Sequence, residues 1–302
     1  MTHNQGFHAD DVVAYAILKE VLTKRGDTWN LVRTRDAELI KNADVVFDIG
    51  EEYDPSRNRY DHHQRGRAGA RENGVLYASA GLIWKHFGRE LCPDTKTWEA
   101  VDRNVIQEFD AGDNGQGYLG ELLFPNSGYT SLTIHIAHFE PTMFEKKTPE
   151  ILAECFEEAS EFARGIIIRA IHNESALQKA FAEATEIYKN SKDKKILVFK
   201  KNYDRATWRL MTQYPEPVFI IYRNEKGDRD DDWRAEAVPV SMRNPASRKY
   251  APESWRGLPE ESAELRAVTG VPDARFCHPS GFLFGAKSFE GVMELAKKAL
   301  EA

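Results

Sequence analysis

The segment Ala43–Asp48 is the part of the sequence that most constrains the fold. It is short and rich in apolar and β-branched residues, and Ile49-Gly50 closes it, which is typical of a buried strand. A second short strand is predicted at Trp29–Val32. Helical spacing of apolar residues predicts helices around these strands, over residues 10–26, 79–87 and 96–109. Alternating strands and helices predict an α/β fold with a parallel sheet, whose ligands bind beyond the carboxyl ends of the strands, where Asp48 stands.

A long helical pattern begins near Thr148 and continues to Tyr188, with a predicted break near His172-Asn173. The polar run Asn190–Lys195 follows it and marks a predicted domain boundary. Beyond this run, strands are predicted over residues 196–199, 218–222, 234–240 and 276–284. A hairpin loop is predicted over residues 224–232. The chain therefore divides into a catalytic domain over 1–147, a helical connector over 148–190 and a smaller α/β domain over 191–302.

Composition places the chain among soluble globular proteins. Its 302 residues are 41% apolar and 29% charged, and they suffice for two ordinary domains. No apolar stretch approaches the roughly 20 residues that a membrane span needs. The first residues lack the basic and apolar regions of a secretory signal. We therefore expect a cytoplasmic protein with no membrane partner.

The cysteines and the charge narrow the function classes further. Cys92, Cys155 and Cys277 are far apart and odd in number, so we expect neither a disulfide framework nor a cysteine zinc site. A net charge of −7 argues against bulk duplex binding, although nucleic-acid binding depends on local patches. One such patch holds five arginines: Arg57, Arg59, Arg65, Arg67 and Arg71. Its alternative interpretation is a solvated basic loop.

Histidine and aspartate are concentrated in four segments: His3 with His8, Asp10 and Asp11; Asp48; Asp61-His62-His63; and Asp110 with Asp113. Taken singly, each has an ordinary alternative, because a strand-end aspartate is usually a turn or cap residue. Together, in this order and spacing, they predict a two-metal centre with a carboxylate bridging cations about 3.5–4 Å apart. Mixed imidazole and carboxylate ligands suit Mn²⁺, Fe²⁺ or Zn²⁺, and they favour Mg²⁺ less.

These clusters resemble those of the DHH phosphoesterases, a superfamily that includes RecJ-like nucleases and manganese-dependent pyrophosphatases. More specifically, nearly the whole chain resembles the MYG exonuclease family. The first half carries the motifs Thr2-His3-Asn4, Phe7-His8-Ala9-Asp10-Asp11, Arg33-Thr34-Arg35-Asp36, Tyr60-Asp61-His62-His63-Gln64-Arg65-Gly66, Ser79-Ala80-Gly81-Leu82 and Asp110-Ala111-Gly112-Asp113. The second half carries Trp255-Arg256-Gly257-Leu258 and His278-Pro279-Ser280-Gly281-Phe282.

The resemblance implies a ligand set for two divalent ions. His3, His8 and Asp48 would hold one ion. Asp10, Asp48, His62 and a later aspartate, with Asp110 preferred, would hold the other, and Asp48 would be the bridge. Asp11 is the alternative to Asp10, and Asp113 is the alternative to Asp110. Mn²⁺ is the preferred ion, with Mg²⁺, Fe²⁺ or Zn²⁺ as alternatives, and an activated water would attack phosphorus.

The resemblance also implies substrate contacts. His63, with Arg65, would face the scissile phosphate and stabilise charge on its oxygens. The smaller domain would be DHHA1-like, with the active site in the cleft between the two domains. There His278, Ser280 and Gly281 would hold a phosphate or a terminal ribose.

Further residues, most of them in the second half, are candidates for contacts with a nucleic-acid strand. Four basic residues could follow its backbone, with ordinary surface salt bridges as the alternative: Arg243, Arg248, Lys249 and Arg256. Tyr60, Trp233 and Trp255 are candidates for base stacking, with core packing as the alternative. Cys277 is expected to be buried rather than reactive.

The resulting interpretation is metal-dependent phosphodiester hydrolysis of single-stranded or short nucleic acid. RNA as the substrate and 3′–5′ polarity come from the resemblance alone. One alternative is a phosphoesterase for dinucleotides or pyrophosphate, and another is a non-catalytic RNA-binding or regulatory protein. A homodimer is a further expectation, because an uncapped helical pattern this long often supports a dimer interface.

Overall fold

A computed structural model of the chain describes residues 1–116, 131–203, 211–225, 232–241 and 244–302. The chain forms two compact units, Met1–Ala176 and Leu177–Ala302. The division falls inside one long helix, Pro149–Asn190, rather than in the polar run that follows it. Among the described residues, no helix is both long enough and apolar enough to span a bilayer.

The first unit contains a small sheet made of strands β1 (Val46–Phe47), β2 (Tyr53–Asp54) and β3 (Arg59–Tyr60). Their order is β1-β3-β2, with β1 parallel to β3 and β2 antiparallel to it. The sheet is therefore mixed, and the prediction of a parallel sheet was correct only for the pair that carries Asp48. The strand β2 runs the other way because it is joined to β3 by a tight turn, which only antiparallel neighbours allow.

Residues Met1 and Thr2 extend this sheet. The Phe47 amide donates to the Met1 carbonyl at 3.1 Å, and the Thr2 amide donates to the Val32 carbonyl at 3.1 Å. Thr2 and Arg33 form an isolated parallel bridge. The predicted strand at Trp29–Val32 is wrong, because the backbone reaches a pairing partner only from Val32 onward.

Helices surround the sheet in the first unit: α1 (Ala9–Arg25), α2 (Ala37–Asn42), α3 (Ser79–Phe87), α4 (Thr95–Val101), α5 (Gln107–Asp113) and α6 (Leu132–Ala137). The Asp11 carboxylate accepts the His8 amide at 2.9 Å and so caps α1, which ends at Gly26 in the left-handed region. A π-helical turn over Asp102–Ile106 joins α4 to α5, where the sequence predicted one continuous α-helix. The π-turn shifts the phase of the residues that follow it, including Asp110 and Asp113.

The helix α7 (Pro149–Asn190) is continuous, and the predicted break near His172-Asn173 does not occur. Its first part buries one apolar stripe in the core of the first unit: Phe156, Ala159, Ala163, Ile167 and Ile171. Its last part places Ala184 in a core of the second unit. Spacings of three and four residues keep this stripe on one helical face, which is why the sequence pattern located the helix well.

The second unit contains a sheet of β4 (Ile196–Val198), β5 (Phe219–Arg223), β6 (Trp233–Ala237), β7 (Ala274–Cys277) and β8 (Leu283–Ala286). Its order is β4-β5-β6-β8-β7, and only β4 and β5 are parallel. The described helices of this unit include α8 (Ala263–Thr269) and α9 (Phe289–Glu301). The chain links β5 to antiparallel β6 as the predicted hairpin requires, although residues 226–231 of that loop lie outside the described residues.

The predicted strand over residues 276–284 is instead two strands joined by a turn. Gly281 has φ +72°, and its amide donates to the His278 carbonyl at 2.8 Å. This backbone conformation suits glycine and reverses the chain. The turn is the segment that carries His278, Ser280 and Gly281.

Candidate metal centre

Asp48 follows strand β1 and lies at the middle of the site. Its backbone has φ +56°, an uncommon conformation for a residue other than glycine. One carboxylate oxygen lies 3.1 Å from His3 Nε2, and the other lies 3.6 Å from His62 Nδ1. The carboxylate therefore stands between two histidines from distant parts of the sequence, with one oxygen towards each.

The segment before α1 brings His3 and His8 to the same place as the acidic start of the helix. His3 Nε2 lies 3.3 Å from Asp11 Oδ2, and ligand atoms of His3, His8 and Asp48 lie within 4.8 Å of one another. Burial opposes a charge on His3, but its hydrogen bonds to Asp11 and Asp48 raise its pKa to about 10. In this geometry a proton on His3 occupies a place that a cation can take.

Asp10 provides the test of whether these residues fit a metal. It is fully buried, and no N–H or hydroxyl of a described residue donates to either of its carboxylate oxygens, beside which the Asp113 carboxyl group lies. Burial, followed by the charges of Asp48 and Asp113, raises the pKa of Asp10 well above its usual range. A buried carboxylate without a partner is costly unless a cation neutralises it. The mixed donors around it suit a divalent ion, so the residues fit.

The Asp61–His63 triplet forms a loop after β3 that Asp61 organises. The Asp61 carboxylate accepts the amides of Glu51 at 2.7 Å, His62 at 2.7 Å and His63 at 3.2 Å. It also contacts His63 Nδ1 at 2.7 Å. Burial opposes the charge of Asp61, yet these hydrogen bonds lower its pKa below the usual value. Asp61 therefore holds both histidines in place.

His62 and His63 then differ sharply in exposure. The His62 side chain is 4% exposed, and its Nε2 lies 2.7 Å from Asp113 Oδ2. The His63 side chain is 54% exposed, and its Nδ1 lies 3.7 Å from Asp48 Oδ1. The hydrogen bond to Asp61 raises the pKa of His63. His62 thus points into the cluster, whereas His63 lies at its solvent side.

The two later aspartates occupy different environments. Asp110 is fully buried, where it binds Arg71 Nη1 at 2.6 Å and accepts the Gly81 amide at 2.8 Å. Burial raises the pKa of Asp110 to about 7, although Arg71 opposes this. Asp113 instead has a ligand atom within 4.8 Å of those of His8 and Asp10. The structure therefore brings Asp113, rather than Asp110, to the cluster.

A cavity of about 410 Å³ opens beside the triplet, and it is lined by His62, His63, Gln64, Gly66, Arg67, Asp113 and Asn114. Arg65 is exposed and is not among these residues. Arg67 does line the cavity, although the sequence indicated it only as one of five basic residues. The position of an arginine within a loop depends on backbone turns, which residue type alone does not specify.

The turn in the second unit does bring its predicted residues together. The Ser280 amide donates to His278 Nδ1 at 3.1 Å, and a Cβ placed at Gly281 would lie 2.6 Å from Arg256 Nε. Arg256 Nε itself donates to the Ala251 carbonyl at 2.8 Å. The groups of this turn are therefore largely satisfied within it. A cleft between the two domains stays a prediction.

The aromatic and basic candidates for substrate contacts, together with Cys277, lie in different surroundings. Trp255 and Tyr60 are buried, which supports core packing rather than base stacking for both. Cys277 is buried as expected, and burial raises its pKa to about 11. Arg248 donates to backbone carbonyls of Pro217 and Met211, and Arg243 lies outside the described residues.

Three residues support the cluster without having been assigned a role from the sequence. Ser79 Oγ donates to Asp48 at 3.2 Å and lies 3.3 Å from His62 Nδ1. Arg33 donates to the carbonyls of His3, Gln5 and Gly6, and so holds the segment that carries His3. Asp61, which holds His62 and His63, is the third. In the sequence, Ser79 and Arg33 could have been found from their positions inside the family motifs, and Asp61 from its place in the triplet.

Comparisons with known proteins identify the family. Residues 1–300 match the family model for the MYG1 exonuclease family, described as uncharacterised protein family UPF0160. The MYG1 exonuclease of Homo sapiens is 30% identical, covering 99% of this chain and 85% of the relative. A MYG1 protein of Schizosaccharomyces pombe is also 30% identical, with 99% and 96% covered.

Among solved structures, RecJ from Thermus thermophilus in complex with Mg²⁺ matches at 10% identity with a TM-score of 0.29. The match covers all of this chain and 49% of that one, so the chain spans about half the length of that RecJ. The family model and the relatives carry the assignment. The chain belongs to the MYG1 exonuclease family.

Proposed function

We propose that this protein is a two-metal phosphodiesterase that acts as an exonuclease on single-stranded or short nucleic acid. The observation that carries the proposal is the position of Asp48 between His3 and His62, beside the unpartnered carboxylate of Asp10. Buried acids that lack protein partners are expected where a cation completes the site. The name of the human relative, an exonuclease, supports the same reaction class.

The proposed ligands fall into two groups that share Asp48. His3, His8 and Asp48 form one group, whose ligand atoms already lie close together. Asp10, Asp48 and His62 form the other, completed by Asp113 in preference to Asp110, because Arg71 and the Gly81 amide already engage Asp110. When bound, divalent ions supply Lewis-acid activation of water and neutralise charge on the phosphate.

The residues of the chain supply positioning around that chemistry. Asp61 fixes the His63 ring through Nδ1, which leaves Nε2 on the exposed side of the site. Because the pKa of His63 is raised, its imidazolium form is favoured and can donate to a phosphate oxygen. Ser79 and Arg33 keep His62 and His3 in place. A donor that is already held in place needs no rearrangement when charge develops on phosphate.

The finer assignments rest on the family resemblance. RNA as the preferred substrate, 3′–5′ polarity and Mn²⁺ as the ion belong to this proposal. The same holds for substrate contacts by Arg65, Arg256, His278, Ser280 and Gly281. A cytoplasmic location and a homodimer remain predictions.

The proposal is tested by offering the protein three substrates in Mn²⁺ and measuring turnover of each. They are a labelled oligoribonucleotide ladder, pyrophosphate and a linear dinucleotide. We expect stepwise shortening of the ladder that chelation abolishes. Turnover confined to pyrophosphate or the dinucleotide would replace the exonuclease with a small-molecule phosphoesterase. If the protein binds the ladder but does not cleave it with Mn²⁺, Mg²⁺, Fe²⁺ or Zn²⁺, it is a non-catalytic RNA-binding protein.

A further inference from the structure

The cavity beside the His62-His63 pair is lined by two histidines, one acid, two amides, a glycine and Arg67, which is the one arginine of this lining. Its guanidinium Nη1 donates to Asn114 Oδ1. Asn114 is in turn fixed, because its Nδ2 donates to the Asp110 carbonyl at the end of α5 at 2.9 Å. The Arg67 side chain is exposed, but this bond ties its guanidinium to Asn114 in the lining of the cavity that Asp113 and His62 share.

The backbone around Arg67 shows why this residue reaches the cavity. Gly66 has φ +93° and Arg67 has φ +57°, so two consecutive residues adopt the left-handed region. The Arg67 amide donates to the Gln64 carbonyl at 2.9 Å, and Gln64 Nε2 donates to the Arg67 carbonyl at 3.0 Å. A left-handed arginine is energetically unfavourable. The turn holds it there, and unfavourable backbone at such a site is a feature of functional loops.

Arg67 also differs in its partners from Arg57 and Arg71. Arg71 forms ion pairs with Asp102 and Asp110, and Arg57 pairs with Glu52. No carboxylate within ion-pair distance of Arg67 occurs among the residues that the structure describes. Its charge is thus left uncompensated by acids at short range, while its guanidinium is held by a neutral amide. That combination suits an anionic ligand better than a structural ion pair.

We propose that Arg67 binds a phosphate group of the substrate in this cavity, and that it contributes more to phosphate binding than Arg65 does. The inference rests on the proposed function. With Nη1 on Asn114, the remaining Nε and Nη2 donors form a fork that matches two oxygens of one phosphate. The ligand class is a nucleotide phosphate, held in the cavity that His63 also lines.

The test uses the full chain loaded with Mn²⁺ and two readouts. One is calorimetric titration with inorganic phosphate, and the other is turnover of a short labelled oligoribonucleotide. Arg67→Gly is the main variant, because glycine accepts φ +57° without strain and therefore removes the side chain without straining the turn. Arg67→Lys keeps the charge but not the fork. Arg65→Ala tests the competing assignment, and Arg57→Ala is the control for loss of one exposed arginine.

For Arg67→Gly we expect about tenfold to hundredfold weaker phosphate binding, the range for one charge-assisted contact, with Mn²⁺ content and melting temperature retained. Turnover should fall by about a hundredfold, and Arg67→Lys should recover only part of it. The loss for Arg65→Ala should be at least tenfold smaller. A larger loss for Arg65→Ala than for Arg67→Gly would overturn the inference.

The two proposals can fail separately. If the unaltered protein cleaves no oligonucleotide, the exonuclease proposal fails, and phosphate titration alone then decides the role of Arg67. Equal phosphate affinity in Arg67→Gly and the unaltered protein would remove Arg67 from the site even if the enzyme cleaves RNA.

Discussion

The His/Asp cluster of the first unit and the His278–Gly281 turn of the second unit satisfy their polar groups in opposite ways. The cluster gathers side chains from four distant segments and leaves both oxygens of Asp10 buried without a hydrogen-bond partner among the described residues. The turn is built from neighbouring residues, and His278 Nδ1 already accepts the Ser280 amide. Buried charge without a partner calls for a cation, whereas a self-contained turn needs none. The comparison supports a metal at the cluster, whereas substrate recognition by the turn stays a prediction from the family resemblance.

Asp48→Asn should have the largest effect. Asparagine keeps the size of the side chain and tolerates φ +56°, so the fold is expected to survive. Loss of the charge between His3 and His62 should lower turnover by more than about a thousandfold, because the shared carboxylate of a two-metal site is removed. Steady-state kinetics and metal analysis measure this.

The matched control is Asp44→Asn, an exposed acid just before the same strand. It should change turnover less than twofold, roughly the range of surface substitutions. Similar losses in both variants would indicate a general charge effect rather than a metal site.

Gly81→Ala should have the next largest effect, on stability. A Cβ at Gly81 would lie 1.8 Å from Asp110 Oδ2, and this carboxylate is held by Arg71. Overpacking of this kind costs about 1–3 kcal/mol in the free energy of unfolding. Urea-induced unfolding of the variant and of the unaltered protein measures this difference in the free energy of unfolding.

Gly165→Ala is its counterpart on the exposed face of α7, where nothing lies within 4 Å of the added Cβ. Alanine should raise the free energy of unfolding there by about 0.5–1 kcal/mol, because it favours helix over glycine. Equal changes at both positions would show that α3 is not packed tightly on Asp110.

His278→Ala should lower the turnover of long and short oligonucleotides together by about tenfold, the equivalent of one lost hydrogen bond of about 1.4 kcal/mol. Metal content should stay at the level of the unaltered protein, because the turn belongs to recognition. Arg256→Ala should weaken the binding of long oligonucleotides more than the binding of short ones. Loss of bound metal in His278→Ala would contradict the prediction that the turn contacts substrate and not the metal.

Asp10→Asn should have a small effect on the free energy of unfolding. The direction of this change should differ between chelator and Mn²⁺, because the metal changes what the Asp10 carboxylate contributes. In chelator the variant should be more stable than the unaltered protein, by about 1 kcal/mol, because a buried carboxylate without a partner is replaced by a neutral amide. In Mn²⁺ the order should reverse, since the unaltered protein gains binding energy that the variant lacks. Thermal melts in both conditions measure the change, and lower stability in chelator would contradict it.

The sequence predicted the regions whose periodicity is strong. The helices α1, α3 and α7 lie close to the predicted ranges because an apolar stripe at helical spacing specifies them. The first sheet was predicted less well, because its strands are two residues long and depend on pairing with distant segments. Such pairing is a tertiary property that a local pattern does not contain.

The same distinction applies to the site. Residue types and order brought out His3, His8, Asp48 and His62, which the structure places together. Asp110 and Asp113 are three residues apart on one helix, so sequence could not tell which of them faces the cluster after a π-turn. The left-handed turn at Gly66-Arg67, which separates Arg67 from Arg65, is likewise set by backbone geometry.

Anomalous diffraction from crystals grown with Mn²⁺ tests the central claim most directly. We expect two peaks, about 3.5–4 Å apart, with the Asp48 carboxylate between them. His3 and His8 should lie at one peak, and Asp10, His62 and Asp113 at the other. A single peak, or peaks remote from Asp48, would contradict the two-metal centre.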